Sequence, residues 1–329
     1  MGPDSWYIAG DIGGTKTNLG VFLLGRTRPK RLYSATFPSR QFTQLETILS
    51  RFMEPLPDHP VAGACFGIAG PVVAGRSRTT NLPWLVSEAA IQQQFDWPKV
   101  RLVNDLVATA MAVPVLNARE LVPVNPKRVR KSENLALVAP GTGLGLALLV
   151  ADNGRHIPVA SEGGHAGFAP NGDEEIDLWQ YLQARFGHVS TERVLSGQGL
   201  VNIYDWLKDT GRYRDPIWLA AARSSGDPAG AISDAAMARK TPIAVAALNR
   251  FVSILGAVAG DVALTGTAFG GVYLGGGIPP KIRTFIIKGP FQEAFTRKGR
   301  FRPMLEKTAV RIIVNDRAAL IGAAILSMK

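Results

Sequence analysis

The chain has 329 residues, a net charge of +11, an apolar fraction of 46% and a single cysteine, Cys65. The length exceeds one ordinary core and implies two domains. The lone cysteine excludes an internal disulfide and any cysteine-rich zinc site. No apolar run reaches the roughly 20 residues that span a bilayer, and the opening MGPDSWYIAG lacks the basic-then-apolar order of a secretion signal. A globular cytoplasmic protein with no membrane partner is therefore expected. Basic clusters lie at 26–31, 127–131 and 297–302. They read either as solvated loops or as a nucleic-acid surface or polyphosphate track. Aromatic interleaving is scarce and no nucleic-acid motif is evident, so solvated loops are favoured and no nucleic acid is expected.

In chain order, residues 6–24 predict a hairpin whose turn, DIGGTKT, offers Gly13 and Gly14 for the positive φ of a tight turn. Residues 31–38 read as a third strand, 42–53 as a helix of apolar periodicity, and 61–70 as a buried strand ending in glycine. Segment 76–84 reads as strand and loop. Ser87 is placed to cap EAAIQQQF, with Glu88 in its first turn. KVRLVND (99–105) is a strand and 106–113 a helix leaving it; a loop-rich stretch then runs to about 134. LALVAPGTGLGLALLV (135–150) repeats the opening pattern of strand, glycine–threonine turn and strand, as a short internal duplication would. A helix over 173–187 takes Asp173 as cap and Gly187 as stop. A helix over 241–264, with Thr241 at the cap and Pro242 at the first position, is apolar on most sides and should be buried. GVYLGGG (271–277) is a strand entering a third glycine turn; 310–316 is the last strand and 317–328 the last helix. Alternating strands and helices predict an α/β chain, and the two hairpin openings predict a mixed sheet in each half.

The opening stretch is neither a P-loop, since Thr15 precedes Lys16 where a P-loop needs glycine, nor a dinucleotide fingerprint. Yet three glycine turns, 11–17, 140–145 and 274–279, each follow an apolar strand. Exposed backbone N–H groups at such turns make anion nests, and three suit a polyphosphate held from several sides. Polar residues at other strand ends complete the constellation: Asn104 and Asp105 in VNDL, Glu162 and His165 in SEGGHAGF, and Glu192 in HVSTERVLSGQG. Each has a purely structural alternative: Asp105 as a helix cap, His165 as a satisfied core imidazole, Glu192 as a first-turn acid.

In this order, AGDIGGTKT, TNLPW, LVNDLVATAMAVP, GTGLG, EGGHAGFAP, GHVSTERVLSG and LGGGIPPK resemble the bacterial glucokinases of the hexokinase–actin-like ATPase superfamily, from about Ala9 to Ala324. KGRF near the end also fits. The related repressor–kinase branch usually carries a cysteine-rich zinc motif, which one cysteine cannot build. The resemblance implies a two-domain actin-like (ribonuclease H-like) sugar kinase fold with an interdomain cleft: a small domain of 1–114 plus 316–329, and a large domain of 115–315. It implies D-glucose as acceptor, ATP with Mg²⁺ as donor, and a homodimer. Asp105 is then the candidate base for the glucose 6-hydroxyl. Asn81, Asn104, Asp105, Glu162, His165 and Glu192 are the candidate sugar contacts. Gly10, Asp11, Ile12, Gly13, Gly14, Thr15, Gly141, Thr142, Gly143, Gly275, Gly276 and Gly277 are the candidate nucleotide contacts, with Asp11 as a Mg²⁺ ligand, directly or through water. Lys16 departs from some members of the family. Other hexose kinases of the superfamily, or a sugar-sensing regulator without catalysis, are the alternatives.

Overall fold

The computed structural model describes residues 5–79 and 82–329. Its main elements follow in chain order: β1 (Trp6–Ile12), β2 (Lys16–Leu23), β3 (Lys30–Pro38), α1 (Leu45–Met53), β4 (Val61–Ile68), β5 (Arg76–Arg78), β6 (Leu85–Ser87), α2 (Glu88–Phe95), β7 (Val100–Asn104) and α3 (Asp105–Ala112). Then come β8 (Leu121–Pro123), β9 (Leu135–Pro140), β10 (Leu144–Asp152), β11 (Arg155–Ser161), α4 (Asp173–Phe186), α5 (Gly197–Asp209), α6 (Ile217–Ser224), α7 (Pro228–Met237) and α8 (Pro242–Thr265). The chain closes with β12 (Gly271–Leu274), α9 (Arg283–Lys288), α10 (Phe291–Thr296), α11 (Arg302–Leu305), β13 (Val310–Ile313) and α12 (Ala318–Ser327).

Two compact units result. One comprises Met1–Glu120, His156–Ala160 and Asn315–Lys329; the other Leu121–Arg155 and Ser161–Val314. The first is built on a sheet of order β3-β2-β1-β4-β7, in which β1 pairs antiparallel with β2 and parallel with β4. The second carries the order β10-β9-β12-β13-β8, with β9 antiparallel to β10 and parallel to β12. Without its edge strand β8, this order repeats β2-β1-β4-β7 of the first sheet. The duplication suggested by two glycine–threonine hairpins thus extends over four strands.

Both faces of β1 are covered, which explains its unbroken apolar run. Ile8 and Ile12 pack with Leu19, Phe66, Ile48, Phe52 and Trp84 on one face. Tyr7 and Ala9 pack with Cys65, Ala108, Met111, Leu320 and Ala324 on the other. Cys65 is fully buried there; burial pushes its thiol up to about 12, with Arg101 pulling down and Glu88 adding to the rise. In the second unit α8 is the central helix, its Leu248, Phe251, Val252 and Leu255 completely enclosed. By length and composition α8 could cross a membrane, contrary to the sequence expectation; 67% of its most apolar window is buried within the protein.

Several local expectations change. Neither Gly13 nor Gly14 has positive φ. The cap of α4 is Gly172, at φ 98°, and Asp173 is instead one of three first-turn acids, with Glu174 and Glu175, facing the positive helix end. Gly187 does terminate that helix. Ser87 and Thr241 occupy cap positions without making a side-chain cap bond. Glu88 instead accepts the Leu102 N–H at 2.7 Å and ties α2 to β7. The loop-rich stretch before 134 contains β8, which pairs with β13.

Glu120 gathers three segments of the first unit. Its carboxylate accepts from the Asn117 N–H at 2.8 Å, from Arg28 at 2.9 Å and from the Asn315 amide at 2.6 Å. Burial alone would raise this carboxyl, but these donors outweigh it and hold its pKa below the ordinary value of 4.5. A depressed carboxylate adds stability above its unfolded pKa and loses it as pH falls through the folded one. Glu120→Gln should therefore lower the melting temperature near neutral pH, by an amount equivalent to roughly 1 kcal/mol, between an exposed pair and a charge-assisted bond. The gap from wild type should close as pH drops below about 4.5. A gap that stays constant over this range would show that the charge is not what Glu120 contributes.

Candidate active site

In the first unit the turn between β1 and β2 is Gly13-Gly14-Thr15, closed by the Gly13 N–H donating to the Lys16 carbonyl at 3.0 Å. A Cβ on Gly13 would stand 3.1 Å from that carbonyl oxygen, so closeness to it, rather than φ, argues for glycine here. Gly10 lies under Phe66, whose ring edge would be 2.5 Å from an added Cβ. Ile12 is buried in the core, whereas Thr15 and Lys16 are exposed. Beneath the turn sits Ser39, completely buried and absent from the sequence-derived set. Its hydroxyl donates to the Gly13 carbonyl at 2.7 Å and contacts the Thr17 hydroxyl at 3.0 Å, while its N–H donates to the Thr15 carbonyl at 3.0 Å. One residue thus grips both ends of the turn, by its hydroxyl at Gly13 and its backbone N–H at Thr15. A lone serine in SRQ carries no sequence signal for this.

Asp11 stands opposite Asn18 in the β1–β2 register, and the Asn18 amide donates to it at 3.2 Å. Thr36 in turn donates to Asn18 at 2.8 Å, so the three form a polar row across β1, β2 and β3. Burial raises the Asp11 pKa and the Asn18 bond only partly offsets it.

Asn104 ends β7 and caps α3: its Oδ1 accepts the Leu106 N–H at 2.8 Å, and its Nδ2 donates to the Gly70 carbonyl at 3.2 Å. The cap is therefore Asn104, and Asp105 is the first residue of the helix. Asn81 lies outside the described residues. Glycines set the position of α3. A Cβ on Gly67 would stand 3.0 Å from the Ala108 Cβ and 3.4 Å from the Asp105 Cα, and one on Gly322 of α12 would overlap the Ala108 carbonyl.

The second unit brings the other candidates together. In the turn Gly141-Thr142-Gly143, the Gly141 N–H donates to the Gly143 carbonyl at 2.8 Å. The Gly141 carbonyl in turn accepts from Gly197, the first residue of α5, at 2.9 Å. Ser196 caps α5 through the Gly199 N–H at 3.0 Å. A helix N-terminus, with its positive dipole end, thus joins the turn; the sequence reading did not include it. Gly275-Gly276-Gly277 lies alongside, since Gly275 donates to Val138 at 2.9 Å and Ile278 to Pro140 at 3.3 Å. Gly276, at φ 78°, is required twice over, because a Cβ there would also overlap the Pro140 carbonyl. Glu192 sits behind the same turn, its carboxylate accepting the Leu144 N–H at 2.8 Å. SEGGHAGF joins this group: Gly164 packs without room for a Cβ against the Leu144 carbonyl, and Thr191 donates to the Ala166 carbonyl at 2.8 Å. Glu162 and His165 are exposed at this place.

Paired sheets of one strand order, each opening on a glycine turn, define the actin-like ATPase fold. The chain belongs to the glucokinase family, whose model matches residues 8–329. A glucokinase of Nostoc sp. (strain PCC 7120) is 35% identical, with 98% of each chain covered. The crystal structure of a glucokinase from an Antarctic psychrotroph aligns with TM-score 0.89 at 30% identity, covering 98% of this chain and 99% of that one. A ROK family glucokinase from Streptomyces griseus, solved with glucose and AMPPNP, shares the fold at TM-score 0.64 and 22% identity, with 98% and 99% covered.

The geometry ranks two substitutions. Gly276→Ala combines a disfavoured φ with an overlap against backbone, and should weaken ATP-analogue binding at least about tenfold. Ser39→Ala removes a buried donor from the Gly13 carbonyl, and should lower melting stability by roughly 1–3 kcal/mol. Calorimetric titration and thermal unfolding check both. Wild-type affinity in Gly276→Ala would mean that the third turn does not hold nucleotide.

Proposed function

We propose that this chain transfers the terminal phosphoryl group of ATP to the 6-hydroxyl of D-glucose, giving glucose 6-phosphate and ADP, with Asp105 as general base. The observation that carries the reading is membership of the glucokinase family over residues 8–329. The fixed placement of an acid at the start of α3 supports the role of Asp105.

A sugar hydroxyl is a weak nucleophile. As its oxygen forms the bond to the γ-phosphorus, its proton passes to an Asp105 carboxylate oxygen, and the bond to the β-phosphate oxygen breaks. Positioning and charge stabilisation supply most of the remaining acceleration in such transfers. Backbone N–H groups of the turns at 13–15, 141–143 and 275–277 hold phosphate oxygens, with the positive dipole end of α5 beside the second turn. Glu162, His165 and Glu192 read the sugar hydroxyls. Asn104 keeps one amide N–H for the sugar while its oxygen fixes the helix that carries Asp105. Asn81 completes the set.

Asp11 suits Mg²⁺. It is a desolvated carboxylate with a neutral amide for partner and no ion pair among the described residues. The ion, when bound, would offset phosphate charge, either on Asp11 itself or through water.

Measuring ADP release across a panel of glucose, mannose, fructose and N-acetylmannosamine tests the reading. Glucose should have the highest kcat/KM; a preference for another hexose would move the assignment to a different sugar kinase. Asp105→Asn should lower kcat by about 10²–10⁴-fold, the range of general-base effects, while calorimetry shows glucose still bound. Near wild-type turnover in that folded variant would remove Asp105 from the reaction.

A further inference from the structure

Two basic regions far apart in the sequence, 127–131 and the stretch around Lys307, meet in the second unit. Loop 125–131 is tightly held. Asn125 donates to the Thr308 carbonyl at 3.0 Å and accepts the Val310 N–H at 3.2 Å. The Arg311 guanidinium donates to the carbonyls of Asn125, at 2.9 Å, and Lys127. Arg130 donates through its N–H to Gly270 and through its guanidinium to Phe269, both at 2.8 Å. The held loop and Lys307 border an open surface cavity of about 530 Å³, lined by Lys127, Arg128, Val129, Arg130 and Lys307. Arg130 pairs with Glu133 at 3.1 Å. Lys127, Arg128 and Lys307 have no acid partner among the described residues.

Like charges held together by a fixed backbone repel one another, and a multivalent anion relieves that repulsion. We propose that this cavity is a binding site for a linear inorganic polyphosphate. The site is separate from the glycine turns. It lies where β9 and β12 begin, at Leu135 and Gly271, whereas the turns follow their ends at Pro140 and Leu274. Six residues of strand, about 20 Å, separate the two. The lining favours phosphate over nucleic acid: it holds no ring on which a base could stack. The exposed ring of the 297–302 cluster, Phe301, already carries the Arg300 guanidinium 5.3 Å from its centre.

The test is calorimetric titration of the full chain with inorganic tripolyphosphate, in the presence of saturating ADP to fill the nucleotide turns. Wild type should bind. The double variant Lys127→Glu/Arg128→Glu should bind roughly tenfold more weakly or worse, and Lys307→Gln should bind a few-fold more weakly. A charge-matched control in the first unit, Arg26→Glu/Arg31→Glu, should bind like wild type. Glucose phosphorylation should be unchanged in all three. Three results would overturn the proposal: equal binding in the double variant; equal weakening in the control, which would mean net charge alone; or single-stranded DNA binding more tightly than tripolyphosphate through the same residues, which would make the site a nucleic-acid surface.

Discussion

The first unit depends on a contact that only glycine permits. Gly322 of α12 lies so close to the Ala108 carbonyl of α3 that no side chain fits between them, and Gly67 of β4 brings the sheet close from the other side, where an added Cβ would stand 3.0 Å from the Ala108 Cβ. Helix α3 is thereby pressed between a strand and the last helix of the chain, and its first residue is Asp105. The position of the candidate base is set by packing contributed more than 200 residues later in the chain, where glycine and alanine in ALIGAAIL fill a layer too thin for larger side chains. That is a physical reason for α12 to belong with the N-terminal sheet rather than with the strand that precedes it.

The glycines of the three turns act in different ways. Gly13 yields space to a carbonyl; Gly276 yields space and also adopts a left-handed φ; Gly143 makes room for the Glu192 carboxylate, which would stand 2.5 Å from an added Cβ. In the second unit that room is what lets one acid reach the Leu144 N–H, so the turn, the start of β10 and the SEGGHAGF segment are fastened at a single point. The groups proposed to read the sugar and those proposed to hold phosphate are thus parts of one hydrogen-bonded assembly there.

Much of this was legible in the sequence because the signals were local. Apolar strands ending in glycine and the long apolar helix α8 announce themselves by run length and punctuation. The strand order was not legible, since register and crossover are long-range properties, although the repeat of APGTG on GDIGGT hinted at the matching halves. The caps misled in a consistent direction. Ser87, Asp173 and Thr241 are residue types that favour caps, but Glu88 is drawn to Leu102, Gly172 takes the left-handed entry to α4, and Pro242 alone marks the start of α8. At Asn104 and Asp105 two good cap residues are adjacent, and composition cannot say which one turns inward. Ser39 was invisible because its importance comes from being buried beneath a turn more than 20 residues away, with nothing in its own neighbourhood to mark it.

The burial of Cys65 has a consequence for the chemistry of the whole chain. With burial pushing the thiol up, the thiolate is scarce near neutral pH, and that sulfur is sealed under α3 and α12. Peroxides, disulfides and electrophiles all act through the thiolate, and the sequence offers them no second cysteine. The one thiol of this chain is therefore shielded from redox chemistry twice over, by the layer that covers it and by the neutral form that burial favours.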